Sequence, residues 1–94
     1  MRETRETRLK RLRMRSWRRG MKEMDLIFGA WADGPMAALD DAGLDAYERV
    51  MDENDQDLYL WLTARISGRE DRGPAELAPM LDQIATFAAG KLHG

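Results

Sequence analysis

Ninety-four residues, 44% hydrophobic and 34% charged, are enough for one small domain and leave no room for a second. Cysteine is absent, which excludes disulfides, thiolate metal ligands and thiol nucleophiles and suits a reducing compartment; the longest apolar stretch, Leu26 to Ala32 with Gly29 inside it, falls far short of the roughly 20 residues of a membrane span. The net charge of -2 conceals an asymmetry, because residues 1–22 carry ten Lys/Arg against two Glu (+8) and residues 23–94 carry five against fifteen acids (-10).

The Arg-rich start is interrupted by Glu3 and Glu6 and leads into no apolar run, so it matches neither a secretion nor a transit signal, and a bacterial cytoplasm is the expected location. Residues 1–12 read as a basic, partly flexible extension, 13–90 as a helical domain and 91–94 as a tail. From about Arg5 to Trp17 helix formers predominate, with Leu9, Leu12 and Ser16 or Trp17 on one face, predicting a mostly solvated helix. A second helix is expected from about Gly20 to Ala32, where Met21, Met24, Ile27 or Phe28 and Trp31 recur at three- and four-residue spacing. Asp33-Gly34-Pro35 ends it, and an alanine-rich loop follows to Gly43.

A third helix is predicted to begin at Asp45, with Glu48 reaching back in a capping box and Leu44, Tyr47, Val50 and Met51 facing the core. Asp55 reads as the N-cap of a fourth helix, whose apolar face is Leu58, Trp61, Leu62 and Ile66. After a polar loop from Ser67 to Gly73, a last helix carries Leu77, Met80 or Leu81, Ile84 and Phe87 or Ala88, with Pro79 near its start. No strand-period segment competes, so the fold class is all-α: a compact five-helix bundle forming a single domain.

The residue types that carry chemistry are sparse. The sole histidine, His93, stands one residue from the end and reads as a spectator; Ser16 and Ser67 have no internal histidine to serve as base. Neither a Rossmann fingerprint nor a P-loop is present, and the acidic run Asp52, Glu53, Asn54, Asp55, Asp57 lacks the sixth-position glycine and twelfth-position glutamate of a calcium loop. The N-terminal arginines suit phosphates, but no nucleic-acid reading module accompanies them and the body is acidic. Neither an enzyme, a metal site nor a nucleic-acid binder is therefore expected.

One segment stands out. Residues 17–25 read Trp-Arg-Arg-Gly-Met-Lys-Glu-Met-Asp, where the charge changes sign; on a continuous helix Arg19 and Glu23 are i and i+4 and form a pair, with Gly20 leaving bare backbone beside them. Spacing alone favours a surface salt bridge and a kink. Arg-Arg-Gly-Met-x-Glu-x-Asp, about thirty residues before Asp-x-Asp-Leu-Tyr-x-Trp-Leu, resembles the succinate dehydrogenase flavinylation factor family, over roughly residues 12–66.

That resemblance implies a five-helix assembly factor that binds the flavoprotein subunit of succinate dehydrogenase or fumarate reductase and promotes covalent attachment of its FAD, itself binding no cofactor and remaining a monomer when free. The partner surface then falls on Trp17, Arg18, Arg19, Gly20, Glu23 and Asp25, with Met21 extending the match. The second motif falls on Asp55, Asp57, Leu58, Tyr59, Trp61 and Leu62, of which the apolar members are assigned to the core and Tyr59 to the interface. Two other readings are an FAD carrier, with Trp17 or Trp31 stacked on the flavin, and an antitoxin-like partner of a membrane-bound toxin.

Overall fold

Each of the five expected helices forms where an apolar stripe meets a turn signal, though three of them begin at residues other than those predicted. The computed structural model describes residues 3–69 and 73–93, and of 92 and 93 the backbone alone. Helix α1 spans Arg5–Ser16, α2 Lys22–Asp33, α3 Asp41–Met51, α4 Asp55–Ile66 and α5 Ala78–His93, with single 3-10 turns at Pro35–Ala38 and Ala75–Leu77. No strand occurs among the described residues. The boundary expected at residue 12 lies inside α1, α5 reaches into the expected tail, and the His93 side chain lies outside the described residues, as do 70–72 of the polar loop.

Capping chemistry fixes the starts. Thr4, Asp40 and Asn54 each accept a hydrogen bond from the amide three residues on, at 3.1, 2.8 and 2.9 Å. Helix α3 therefore begins at Asp41 and not Asp45: Asp40 captures the Gly43 amide, leaving Asp45 on the exposed outer face and Glu48 free to pair elsewhere. Likewise the cap of α4 is Asn54, and Asp55 is freed for another role. The expected Gly34–Gly43 loop divides into the 3-10 turn and the capped start of α3.

Helix α5 packs against α4, α2 and α3, and the core fills the space between them. Tyr47 lies at its centre with no exposure, its ring 6.2 Å from Phe28 and 6.3 Å from Trp31, and Trp31 in turn meets Phe87 edge-on at 5.8 Å. The Tyr47 hydroxyl lies 2.6 Å from Ser16 Oγ, which itself donates to the Leu12 carbonyl, so the phenol donates to the serine. Burial raises the Tyr47 phenol well above its ordinary range and keeps it protonated.

Helix α1 buries only Leu12 and Ser16 fully, with Leu9 packed at the edge. Arginine side chains supply much of the remaining attachment, through carboxylates and backbone carbonyls. Arg5 faces Asp41 (3.6 Å), Arg8 bridges Asp45 (2.6 Å) and Glu48 (2.9 Å), Arg11 holds Glu48 (2.9 Å) and Glu3 (2.6 Å), and Arg15 holds Asp52 (3.1 Å). Arginines three or four apart share a face of α1, as do the acids of α3, so two helical rows mesh as a ladder. The basic end and the acidic body thus neutralise one another, and these arginines are occupied within the chain.

The bonds from Arg11 and then Arg8 hold the Glu48 carboxyl below its ordinary value of 4.5. A depressed carboxylate contributes stability that is present above the unfolded-state value and is lost as pH falls through the folded-state one. Glu48→Gln should lower stability by about 1 kcal/mol at pH 7 and flatten its decline below pH 4.5. Thermal melts followed by circular dichroism between pH 7 and 3 check both, and an unchanged acid limb would contradict the ladder's contribution.

Candidate partner-binding site

The Arg-Arg-Gly-Met segment forms a loop and not a helix. Helix α1 ends with Trp17 as its C-cap, α2 starts at Lys22, and between them Gly20 adopts φ +96°, where a side chain is strained. The expected i, i+4 pair between Arg19 and Glu23 consequently does not form, because the helix that would align them is interrupted. Arg19 turns inward instead.

The Arg19 side chain is only 9% exposed and its three guanidinium nitrogens donate in three directions: Nε to Asp55 Oδ1 (2.7 Å), Nη1 to the Met51 carbonyl (2.6 Å) and Nη2 to the Glu53 carbonyl (2.7 Å). Its carbon centre lies 5.6 Å from the centroid of the Phe28 ring. One cation therefore satisfies a terminal carbonyl of α3, fixes the α3–α4 turn and neutralises the first acid of α4. From the other side, the Asp25 carboxylate accepts the Arg19 backbone N–H at 2.5 Å, so α2 holds the loop that carries the arginine.

Trp17 is the second anchor. Its indole lies against Gly29, where a Cβ would overlap the ring, and its Nε1 donates to Asp33 at 3.2 Å, while 42% of the residue remains exposed. Gly29 is buried within α2, and that small-residue gap is what admits the indole. A glycine inside an otherwise apolar helix was the available signal for this contact.

The predicted site residues thus divide. Arg19 and Asp25 are committed to internal bonds; Gly20 is exposed at the strained turn, and Met21 packs on the core edge. Arg18 and Glu23 are exposed and their side chains make no bond among the described residues. Tyr59 is 37% exposed, one turn of α4 beyond Asp55 and so on its side of that helix. Of the second motif, Leu58 and Leu62 are fully buried and Trp61 packs against the core, whereas Asp57 locks the α4 cap by exchanging bonds with Asn54. Exposed apolar residues that spacing did not single out are Met14, Leu26 and Leu60. No group of three or more metal-ligating side chains gathers among the described residues.

Comparison with known proteins adds an independent finding. A family model described as the flavinator of succinate dehydrogenase matches residues 10–88. Relatives named "Succinate dehydrogenase assembly factor 2, mitochondrial" include one from Meyerozyma guilliermondii, 43% identical over 61 residues that make up 65% of this chain and 45% of the relative. Others come from Mycosarcoma maydis, 40% identical over 67% of this chain and 26% of the relative, and Aspergillus terreus, 39% identical over 73% and 23%. The chain spans less than half the length of these relatives. No solved structure matches.

Arg19→Lys, which keeps the charge but not the three-way fork, should lower stability by about 2–3 kcal/mol in urea unfolding, and a change within 0.5 kcal/mol would deny the staple its importance. Gly29→Ala should expel the Trp17 indole, seen as a red shift of tryptophan emission that is absent when the substitution is made in a Trp17→Phe background.

Proposed function

Because the chain belongs to the family described as the flavinator of succinate dehydrogenase, we propose that it binds the flavoprotein subunit of succinate dehydrogenase or fumarate reductase and promotes covalent attachment of that subunit's FAD. The observation that carries this reading is the junction loop: a sequence match on its own residues coincides with a surface that an internal arginine holds rigid while leaving Trp17, Arg18, Gly20 and Glu23 outward. Such pre-organisation lowers the ordering cost of association. Glycine at the crest permits close backbone approach, and the half-exposed indole, fixed by Gly29 and Asp33, is a rigid anchor of the type that dominates interfaces.

The factor supplies binding energy and no reacting group. Its two serines donate to backbone carbonyls of their own helices, Ser16 to Leu12 and Ser67 to Thr63. The reacting groups belong to the partner, and the factor stabilises the arrangement in which they align. The flavin stays with the partner as well: the Trp31 indole is enclosed by Tyr47 and Phe87, and Trp17 has one face against α2, which argues against a carrier role. Ion-paired arginines argue against nucleic acid. No helix among the described residues is long and apolar enough to cross a membrane. In this reading the free factor is a monomer of the cytoplasm, although the relatives are mitochondrial by name.

The test is in-gel flavin fluorescence of the flavoprotein subunit in cells carrying this gene, lacking it, or carrying Glu23→Arg. Glu23 is preferred to Gly20 because Gly20→Arg strains the turn and would confound folding with binding. Loss of the covalent flavin band in both altered strains, at unchanged subunit level, is the expected result. An undiminished band in the strain lacking the gene would overturn the reading.

A further inference from the structure

Along the outer edge of α1 and the junction loop, Arg11, Met14, Arg15, Arg18 and Arg19 line one open groove of about 550 Å³. Three of its four cations already hold acids of the chain: Arg11 takes Glu3 and Glu48, Arg15 takes Asp52 and Arg19 takes Asp55. Arg18 takes none among the described residues. An unpaired surface arginine is ordinary, but here it stands in a row whose other members already hold acids of the chain. Met14, 51% exposed, provides an apolar wall four residues before Arg18.

We infer that this groove receives an apolar side chain of the flavoprotein subunit that is flanked by a carboxylate, with Met14 meeting the apolar group and the Arg18 guanidinium gripping the carboxylate. This rests on the function proposed above and deepens it by dividing the two adjacent arginines: Arg19 builds the surface and Arg18 binds through it. A planar five-donor fork suits a carboxylate in two parallel bonds, and its neighbours' positive charge adds to the attraction. The methionine, soft and unbranched, accommodates an irregular apolar partner.

The experiment titrates the isolated, FAD-loaded flavoprotein subunit calorimetrically with the wild-type factor, Arg18→Glu, Met14→Glu and a charge-matched control, Lys10→Glu, which is exposed one turn of α1 before Met14 and does not line the groove. Thermal melts accompany each. Arg18→Glu and Met14→Glu should each weaken binding about tenfold or more at unchanged melting temperature, and Lys10→Glu should remain within about twofold of wild type. Wild-type affinity in Arg18→Glu, or an equal loss in Lys10→Glu, would overturn the groove, the latter by revealing a diffuse field in its place. Should Arg18→Glu fail to fold, Met14→Glu decides alone. Failure of the wild-type factor itself to bind would overturn the functional reading, and this inference with it.

Discussion

The guanidinium of Arg19 is the point at which two helix junctions are tied together. Neither junction is self-sufficient. The loop after α1 contains a glycine at φ +96° and lacks a side-chain cap on α2, while the turn after α3 ends in carbonyls with no intrahelical donor. A buried charge with an unmet hydrogen bond is costly, so three directed bonds and a carboxylate partner convert what would be a liability into a constraint of position. The bundle's orientation at this end follows from it: α2 grips the loop through Asp25, the loop presents Arg19, and Arg19 holds the ends of α3 and α4.

Much of the fold was legible because apolar period is a local signal. The stripes Met24–Phe28–Trp31, Leu44–Tyr47–Val50 and Leu58–Leu62 all point inward as their spacing required. Helix starts were less legible, since Asp40 and Asp45, or Asn54 and Asp55, are chemically equivalent candidates until the chain's path selects one. The site was legible as a segment and not as a geometry. Only on a continuous helix does Arg19 stand beside Glu23, whereas its partner is Asp55, thirty-six residues away in sequence; no short-range rule encodes such a pairing. The ladder of α1 was hidden for the same reason, although the charge asymmetry that makes it possible was evident in the composition.

The short motif therefore has two layers. Its inward members, Arg19 and Asp25, hold a conformation, and its outward members, Trp17, Arg18, Gly20 and Glu23, are what that conformation displays. A substitution at any of these positions can abolish the same activity for opposite reasons. Binding and stability must be measured separately before a residue is assigned to an interface.

The ionic attachment of α1 also bears on the order of events during synthesis. The segment carrying ten cations leaves the ribosome ahead of the acids that neutralise it, from Asp41 to Asp55, which follow some thirty to forty residues later. At about 5–20 residues per second that interval lasts on the order of 2–8 s. Throughout it the nascent segment keeps a net positive charge beside ribosomal RNA, to which it is electrostatically attracted. Emergence of the acidic helix then supplies an intramolecular competitor for the same charges, before α5 arrives to close the core.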